Sequence, residues 1–304
     1  MTAVDVVVIG AGPAGLAVAL NLVRARRRVV LLDSNRPRHA VSLMSHGFIT
    51  RDGTTPLEFR RLGREEVEGY EEATVLTATV TGVERDGDGL IVHASERGGV
   101  DHSFAATHVV LATGLVESFP EIPSLRQFYG SSAHSCMECD GYGYKDKRLA
   151  LIGETDDVAE RAILLSQWTA DVVLLTNGTS VVSEWWQSKL SERGISVDDR
   201  HIAEIEGGAG GILTGVRFAD GSVLERDGVF VRPHWTPSLN FVDSLDIIRS
   251  SDGLIAVDNE GRTSETGLWA VGDITPPGPE QLLIAAGAGQ RMAAVINCTM
   301  LGLL

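Results

Sequence analysis

The residues of this sequence best suited to chemistry are Cys136-Met-Glu-Cys139-Asp140-Gly141, two thiols separated by two residues with an acid directly after the second. That spacing closes a small disulfide ring, and a helix starting at the first cysteine stabilises its thiolate as a nucleophile near neutral pH. Asp140 is placed to exchange a proton with the thiol pair. Zinc is the competing reading and a weak one. Structural zinc takes four ligands, no second CxxC exists and His134 stands too close in sequence to complete a scaffold, so no metal is expected. A buried cysteine pair without function is the bland alternative. Three cysteines are too few for a secreted disulfide framework, so one CxxC in an α/β chain points to redox chemistry. Cys298, alone in the apolar stretch 293–304, is expected to be buried and inert.

Such a pair has to be carried by a scaffold, and apolar strand patterns alternate with helical ones along the chain, the mark of an α/β fold with largely parallel sheets. The first unit holds Gly10-Ala-Gly12-Pro13-Ala14-Gly15, directly after the strand 6–9 and directly before a helical pattern ending near Arg26. Glycines there permit a tight turn, close approach of backbone to a pyrophosphate and close helix–strand packing, while the helix N-terminus offers unpaired N–H groups. Asp33, with Ser34 after it, closes the next strand where a carboxylate accepts from a ribose hydroxyl. The null is a structural glycine turn, and strand, helix and acid together argue against it.

A similar unit runs over 148–176. Two further strands end in a small residue and Gly: 108–114, closing on Ala112-Thr113-Gly114, and 263–273, closing on Gly272-Asp273. A helix over about 281–296, opening with Gln281 and Leu282, follows the second. Its return near the C-terminus makes the first domain discontinuous: residues 1–115 and 236–304, with 116–235 inserted. Proline-bearing stretches at 114–123 and 233–237 are the expected hinges, where regular structure ends. Trp168, Trp185 and Trp186 are expected to pack the core of the inserted domain.

The glycine fingerprint, Ala112-Thr113-Gly114, the CxxC-Asp-Gly run and Gly272-Asp273 stand in the order found in the thioredoxin-reductase family, which the chain resembles over essentially its whole length. The resemblance implies two Rossmann-like dinucleotide-binding domains, the second inserted into a discontinuous FAD domain and carrying the cysteines. It also implies a homodimer and a domain rotation that presents the cysteines alternately to flavin and substrate. Under it Cys139 lies nearer the flavin, Cys136 exchanges with the outside thiol, Asp140 is the acid/base, and the helix after Asp273 aims its positive end at the flavin.

One part departs from that pattern. An NADPH user carries a second glycine fingerprint, but here the chain reads Gly153-Glu154-Thr155-Asp156-Asp157, with Thr155 at the second glycine and acids where an anion would bind. Asp156 is the expected N-cap. No Lys, Arg or His occurs between Arg161 and Lys189, so Asn177-Gly178-Thr179-Ser180 offers a 2'-phosphate no basic group in sequence. NADPH use is therefore not expected. The segment 45–53, with His46, resembles the flavin-proximal loop of thioredoxin-reductase-like dithiol oxidases, and His46 is a candidate to deprotonate a dithiol; a satisfied loop histidine is the alternative.

The expectation is an FAD-dependent dithiol oxidase with oxygen as acceptor, acting on a small-molecule dithiol or a thioredoxin-like protein. An NADPH-dependent thioredoxin-disulfide reductase and a non-catalytic flavin redox sensor are the alternatives. A net charge of -15, from 26 basic and 41 acidic residues, argues against nucleic acid. No run of about 18 apolar residues suggests a membrane span, and residues 4–9 enter a strand with no basic lead, so a cytoplasmic place is expected.

Overall fold

Short runs of Val, Ile and Leu build the scaffold, each long enough for one strand and apolar on both sides, the pattern of strands covered on two faces. In the computed structural model, which describes residues 1–38, 42–179, 181–208 and 210–304, the chain forms two compact units. Unit 1 comprises Met1–Ala40, Phe48–Val116 and Thr236–Leu304; unit 2 comprises Val41–Gly47 and Glu117–Trp235.

Unit 1 opens with β1 (Thr2–Ile9), α1 (Pro13–Arg24), β2 (Val29–Leu32), α2 (Pro56–Glu68), β3 (Ala73–Leu76), β4 (Ala78–Asp86), β5 (Gly89–Glu96) and β6 (Asp101–Leu111). The chain leaves along β7 (Leu115–Ser118). Unit 2 then holds α3 (Leu125–Phe128), β8 (Ala133–His134), α4 (Met137–Asp140), β9 (Leu149–Ile152), α5 (Val158–Leu165), β10 (Val172–Leu175), α6 (Glu184–Ser191), β11 (Ser196–Asp198), β12 (Ile202–Gly207), β13 (Leu213–Phe218), β14 (Val223–Glu225) and β15 (Gly228–Val231). It returns along β16 (His234–Pro237) to β17 (Leu268–Ala270) and α7 (Leu282–Met300).

In unit 1, β3, β2, β1 and β6 pair in parallel. β6 is long enough to split its other edge: Asp101–Ala106 pairs antiparallel with β5, and Val109–Leu111 pairs parallel with β17. The antiparallel β4–β5 arm was not foreseen from the alternating pattern. α1 and α7 cover one face together, with Val18, Leu22, Met292 and Ile296 in one buried cluster. Their crossing is close enough that a Cβ on Gly289 would overlap the Ala14 carbonyl.

In unit 2, β11-β10-β9-β15-β8 form a parallel sheet, and β12-β13-β14 an antiparallel meander. Both faces of β9 are buried: Leu149 and Leu151 join the cluster of α5 and α6, Ala150 and Ile152 the cluster of the meander. Leu149, Leu151 and Ile152 each contribute about 1.5–3 kcal/mol by burial. Regular structure does stop at both proline stretches, β7 ending before Pro120 and Pro233 lying between β15 and β16, while β7 and β16 pair as a two-stranded ribbon. Trp186 and Trp168 pack against the core, whereas Trp185 is 60% exposed and lies outside it. Cys298 is half-buried on α7, not fully buried as expected. Among the described residues no helix is long and apolar enough to cross a membrane.

Candidate active site

The sequence brings two separate sets of residues to work, a cleft in unit 1 and the cysteine turn in unit 2. The first begins where β1 ends. Gly10 takes φ +106°, a conformation side chains rarely adopt, and a Cβ there would overlap the Ala112 carbonyl. A Cβ on Gly15 would overlap the Gly10 carbonyl, so this glycine serves helix–strand packing and does not line the cleft. Gly12, the N-cap of α1 with Pro13 behind it, has open space where its Cβ would be.

The cleft measures about 430 Å³ and is lined by Gly10, Gly12, Pro13, Ala14, Asp33, Ser34, Ala112, Thr113, Gly114, Gly272, Asp273, Gln281 and Leu282. It is therefore bounded by all the expected cofactor residues except Gly15. The Thr113 hydroxyl is buried there without a hydrogen-bond partner among the described residues. An orphaned donor, an open backbone approach at Gly12 and the N-terminus of α1 suit an extended dinucleotide.

Arginines that the sequence reading missed also line this cleft: Arg36, Arg38 and Arg60. Arg60 lies on the buried stripe of α2 with Pro56 and Val67, only 5% exposed. A buried arginine demands a carboxylate, and Arg60 finds Asp33, with Arg64 Nη1 adding a 3.4 Å contact to the same Oδ2. Asp33 thus enters the cleft already paired on one oxygen. Asp273 is likewise engaged, Arg38 Nη2 lying 2.7 Å from its Oδ2. The readable signal was an arginine at a core-facing helical position, which needs an acid within reach.

In unit 2, Cys136 and Cys139 form a disulfide. Cys136 is the N-cap of the single turn α4, and its Sγ accepts from the Cys139 N–H at 3.2 Å, a contact that favours negative charge on this sulfur. Glu138 Oε2, 3.9 Å from the same sulfur, opposes it. Met137 is fully buried and anchors the turn. A Cβ on Gly141 would lie 2.8 Å from the Trp168 ring, which explains glycine after Asp140. Upstream, Arg161 Nη2 donates to the Ser135 carbonyl at 3.1 Å, and Tyr129, whose hydroxyl donates to Glu117, sits 2.7 Å from Ser135 Oγ.

His134, read only as a possible neighbour of the thiols, is 7% exposed and contacts two polar groups: Nδ1 lies 3.4 Å from Asp140 Oδ1 and Nε2 lies 3.0 Å from the Tyr144 hydroxyl. Burial, and then the charge of Asp140, push the Tyr144 phenol up to about 12. His46 falls in the segment grouped with unit 2, although the sequence placed it in the first domain, and it is half-buried. No group of three or more His, Cys, Asp or Glu suited to a metal occurs among the described residues.

The turn from β9 into α5 is filled by the chain itself. Asp157, not Asp156, is the N-cap, and its side chain does not cap the helix. It accepts from Thr155 Oγ1 at 2.6 Å and pairs with Arg232 Nε at 2.8 Å, while Asn177 Nδ2 donates to Glu154 at 2.7 Å. Beyond β10 one basic group does fold back: the His201 ring packs on Gly178, a contact not visible in sequence because 22 positions separate them. Ser180 lies outside the described residues.

With this geometry in view, residues 4–289 match the pyridine nucleotide-disulphide oxidoreductase family, and the chain belongs to it. It is an FAD-dependent disulfide oxidoreductase, similar to thioredoxin reductases. It is 26% identical to a probable thioredoxin reductase of Arthroderma benhamiae, over 96% of this chain and 79% of that one. Identity to the thioredoxin reductase of Mycolicibacterium smegmatis is also 26%, over 94% and 93% of the two chains. Among solved structures, the putative thioredoxin reductase TrxB of Bacillus anthracis shares 37% identity at TM-score 0.90, covering 98% and 99% of the two chains. The structure of HlmI shares 37% at TM-score 0.92, covering 100% and 95%. The fold, two Rossmann-like domains with parallel sheets, is as expected.

Proposed function

We propose that this chain oxidises a dithiol through the Cys136–Cys139 disulfide and that oxygen, not NADPH, closes the cycle. The observation that carries this reading is the self-occupied turn after β9, where Glu154 accepts from Asn177 and Asp157 accepts from Thr155 and pairs with Arg232. An incoming pyrophosphate would meet fixed negative charge at a helix N-terminus. In unit 1, the residues Gly10 to Ala14, Asp33, Ser34, Ala112 to Gly114, Gly272, Asp273, Gln281 and Leu282 would hold FAD. We take unit 1 as the FAD-binding domain and unit 2 as the inserted module that carries the CxxC.

Bound FAD supplies two-electron acceptance from the reduced cysteines and reoxidation by oxygen. The chain's residues handle the sulfur exchange. A substrate thiolate bonds Cys136 Sγ, the Cys136–Cys139 bond breaks and its electron pair leaves on Cys139 Sγ. The second substrate thiolate then displaces Cys136, giving the substrate disulfide and two reduced cysteines. One dithiol and one oxygen molecule yield one disulfide and one hydrogen peroxide. The contact of Cys136 with the Cys139 N–H suits it to be the released thiolate.

A second reading, an NADPH-dependent thioredoxin-disulfide reductase, is favoured by His201 beside Gly178 and by the likeness to thioredoxin reductases. Either enzyme differs from a redox sensor by sustained turnover. The partner under the first reading is a small-molecule dithiol or a thioredoxin-like protein, acting on a cytoplasmic homodimer. Anaerobic stopped-flow absorbance of the FAD-loaded protein against NADPH, NADH and dithiothreitol tests the choice. Bleaching by the dithiol alone, reversed by oxygen, supports the oxidase; fast bleaching by NADPH overturns it.

A further inference from the structure

We propose that His134 is a positioning residue that shares one proton with Asp140 and so keeps a proton available beside Cys139 at neutral pH. The inference rests on Cys136–Cys139 being the redox centre and adds to it a second buried residue that the disulfide itself does not touch.

The argument is a count of hydrogens. The Tyr144 hydroxyl has one, and it donates to the Ser131 carbonyl at 2.9 Å. Its oxygen is left to accept, and His134 Nε2 lies 3.0 Å away, so the N–H sits on Nε2. The remaining nitrogen, Nδ1, faces Asp140 Oδ1 at 3.4 Å. One further proton makes this contact an ion pair, an imidazolium facing a carboxylate. Moved to the acid, it leaves a neutral imidazole facing a carboxylic acid. Tyr144 keeps its hydrogen across the neutral range, because burial and the charge of Asp140 raise its pKa to about 12.

The ring cannot readily turn away. It is 7% exposed on β8, with the Tyr144 ring centroid at 5.1 Å and the Phe230 ring of β15 at 5.7 Å. Among its described contacts, Asp140 from α4 and Tyr144 from the turn after it are the titratable groups, and β15 offers only the apolar Phe230. Asp140 immediately follows Cys139, and its N–H is tied to the Cys136 carbonyl at 3.2 Å. An isolated aspartate near the surface is ionised at neutral pH and has no proton to give. A neighbouring imidazole changes that by holding the proton on Nδ1.

The step is balanced as follows. When substrate thiolate bonds Cys136, the electron pair of the broken S–S bond leaves on Cys139. The one mobile proton of the pair passes from His134 Nδ1 to Asp140 and on to the Cys139 thiolate, leaving a neutral imidazole opposite a carboxylate. Solvent restores the proton before the next exchange. Closure of the disulfide runs the same path in reverse.

The test is the rate at which dithiothreitol opens the disulfide in the FAD-loaded protein without oxygen, read by quench alkylation of Cys136 and Cys139 from pH 5 to 9 and corrected for the dithiothreitol thiolate fraction. His134→Gln is expected to slow opening about 10-fold at pH 7 and by less than about 2-fold at pH 5, where solvent supplies the proton more readily. In an Asp140→Asn background the same change is expected to add less than about 2-fold, because one acts through the other. Tyr144→Phe keeps the packing, frees Nε2 and is expected to move the profile the same way by a smaller factor.

Equal loss at both pH values, additive loss on top of Asp140→Asn, or a His134→Gln profile that overlays the unsubstituted protein overturns the proposal. A Tyr144→Phe profile that overlays it overturns the assignment of the nitrogens. A Cys136→Ser protein that sustains dithiol oxidation would instead sink the functional reading, an outcome separate from all of these.

Discussion

Arg232 Nε lies 2.8 Å from Asp157 Oδ2, so the cation nearest the second dinucleotide turn already has an anion of the chain's own. The guanidinium also stacks over Trp235, 4.4 Å from the ring centroid. Thr155 donates to the same carboxylate. This relationship supports the NADPH-independent reading proposed above.

Replacing Glu154, Thr155 and Asp157 together by Gly, Gly and Ser is expected to increase NADPH affinity at least about 10-fold, since it removes like charge and frees Arg232. Titration followed by nicotinamide fluorescence measures it. Unchanged affinity would show that the acids do not decide nucleotide binding.

Gly12 and Gly15 should fail in opposite ways. Gly12→Ala meets open space and is expected to cost less than about 1 kcal/mol in stability of the flavin-free protein, while its methyl group occupies the dinucleotide path and lowers bound FAD. Gly15→Ala collides with the Gly10 carbonyl and is expected to cost about 3 kcal/mol. Urea unfolding and the flavin-to-protein absorbance ratio read the two effects.

Arg60→Leu leaves Asp33 in a buried place with Arg64 at 3.4 Å as its remaining cation. A loss of about 2–4 kcal/mol is expected, somewhat below a fully orphaned buried charge. The double variant Arg60→Leu with Asp33→Asn should recover part of it; equal loss in single and double variants would remove the pair as the cause.

Side-chain hydrogen bonds from Arg148, followed by its backbone N–H, hold the Asp227 carboxyl at about 2, against an ordinary value of 3.8. A depressed folded pKa contributes stability present above the unfolded value and lost as pH falls toward the folded one. Asp227→Asn should therefore flatten the stability change between about pH 4 and 2, by no more than about 1 kcal/mol for so exposed a pair. Acid titration followed by circular dichroism checks it, and identical slopes in both proteins would contradict it.

Much of the fold was legible because its signals are local. Residues 6–9, 29–32, 149–152 and 172–175 are apolar runs that only a strand covered on both faces accommodates, and the glycines after the first mark a turn by their permitted φ. The cysteine turn was equally local: spacing alone placed a thiol at a helix start, and α4 begins there. The β7–β16 ribbon was not, because its two strands stand far apart along the chain; the β4–β5 hairpin, closed over Gly87-Asp88, was a local signal left unread.

By itself the sequence determined the class of chemistry, the dinucleotide turn, the missing second glycine and the acids beside it, since each rests on residue type at short spacing. Only the tertiary structure decided what those groups face. Arg60 reaches Asp33 across 27 positions, Arg38 reaches Asp273 across 235, and His201 returns to Gly178. His134 acquires Asp140 and Tyr144 as partners at the two ends of one ring. A charge or a proton is settled by its nearest neighbours in space, and folding sets that distance independently of position in the chain.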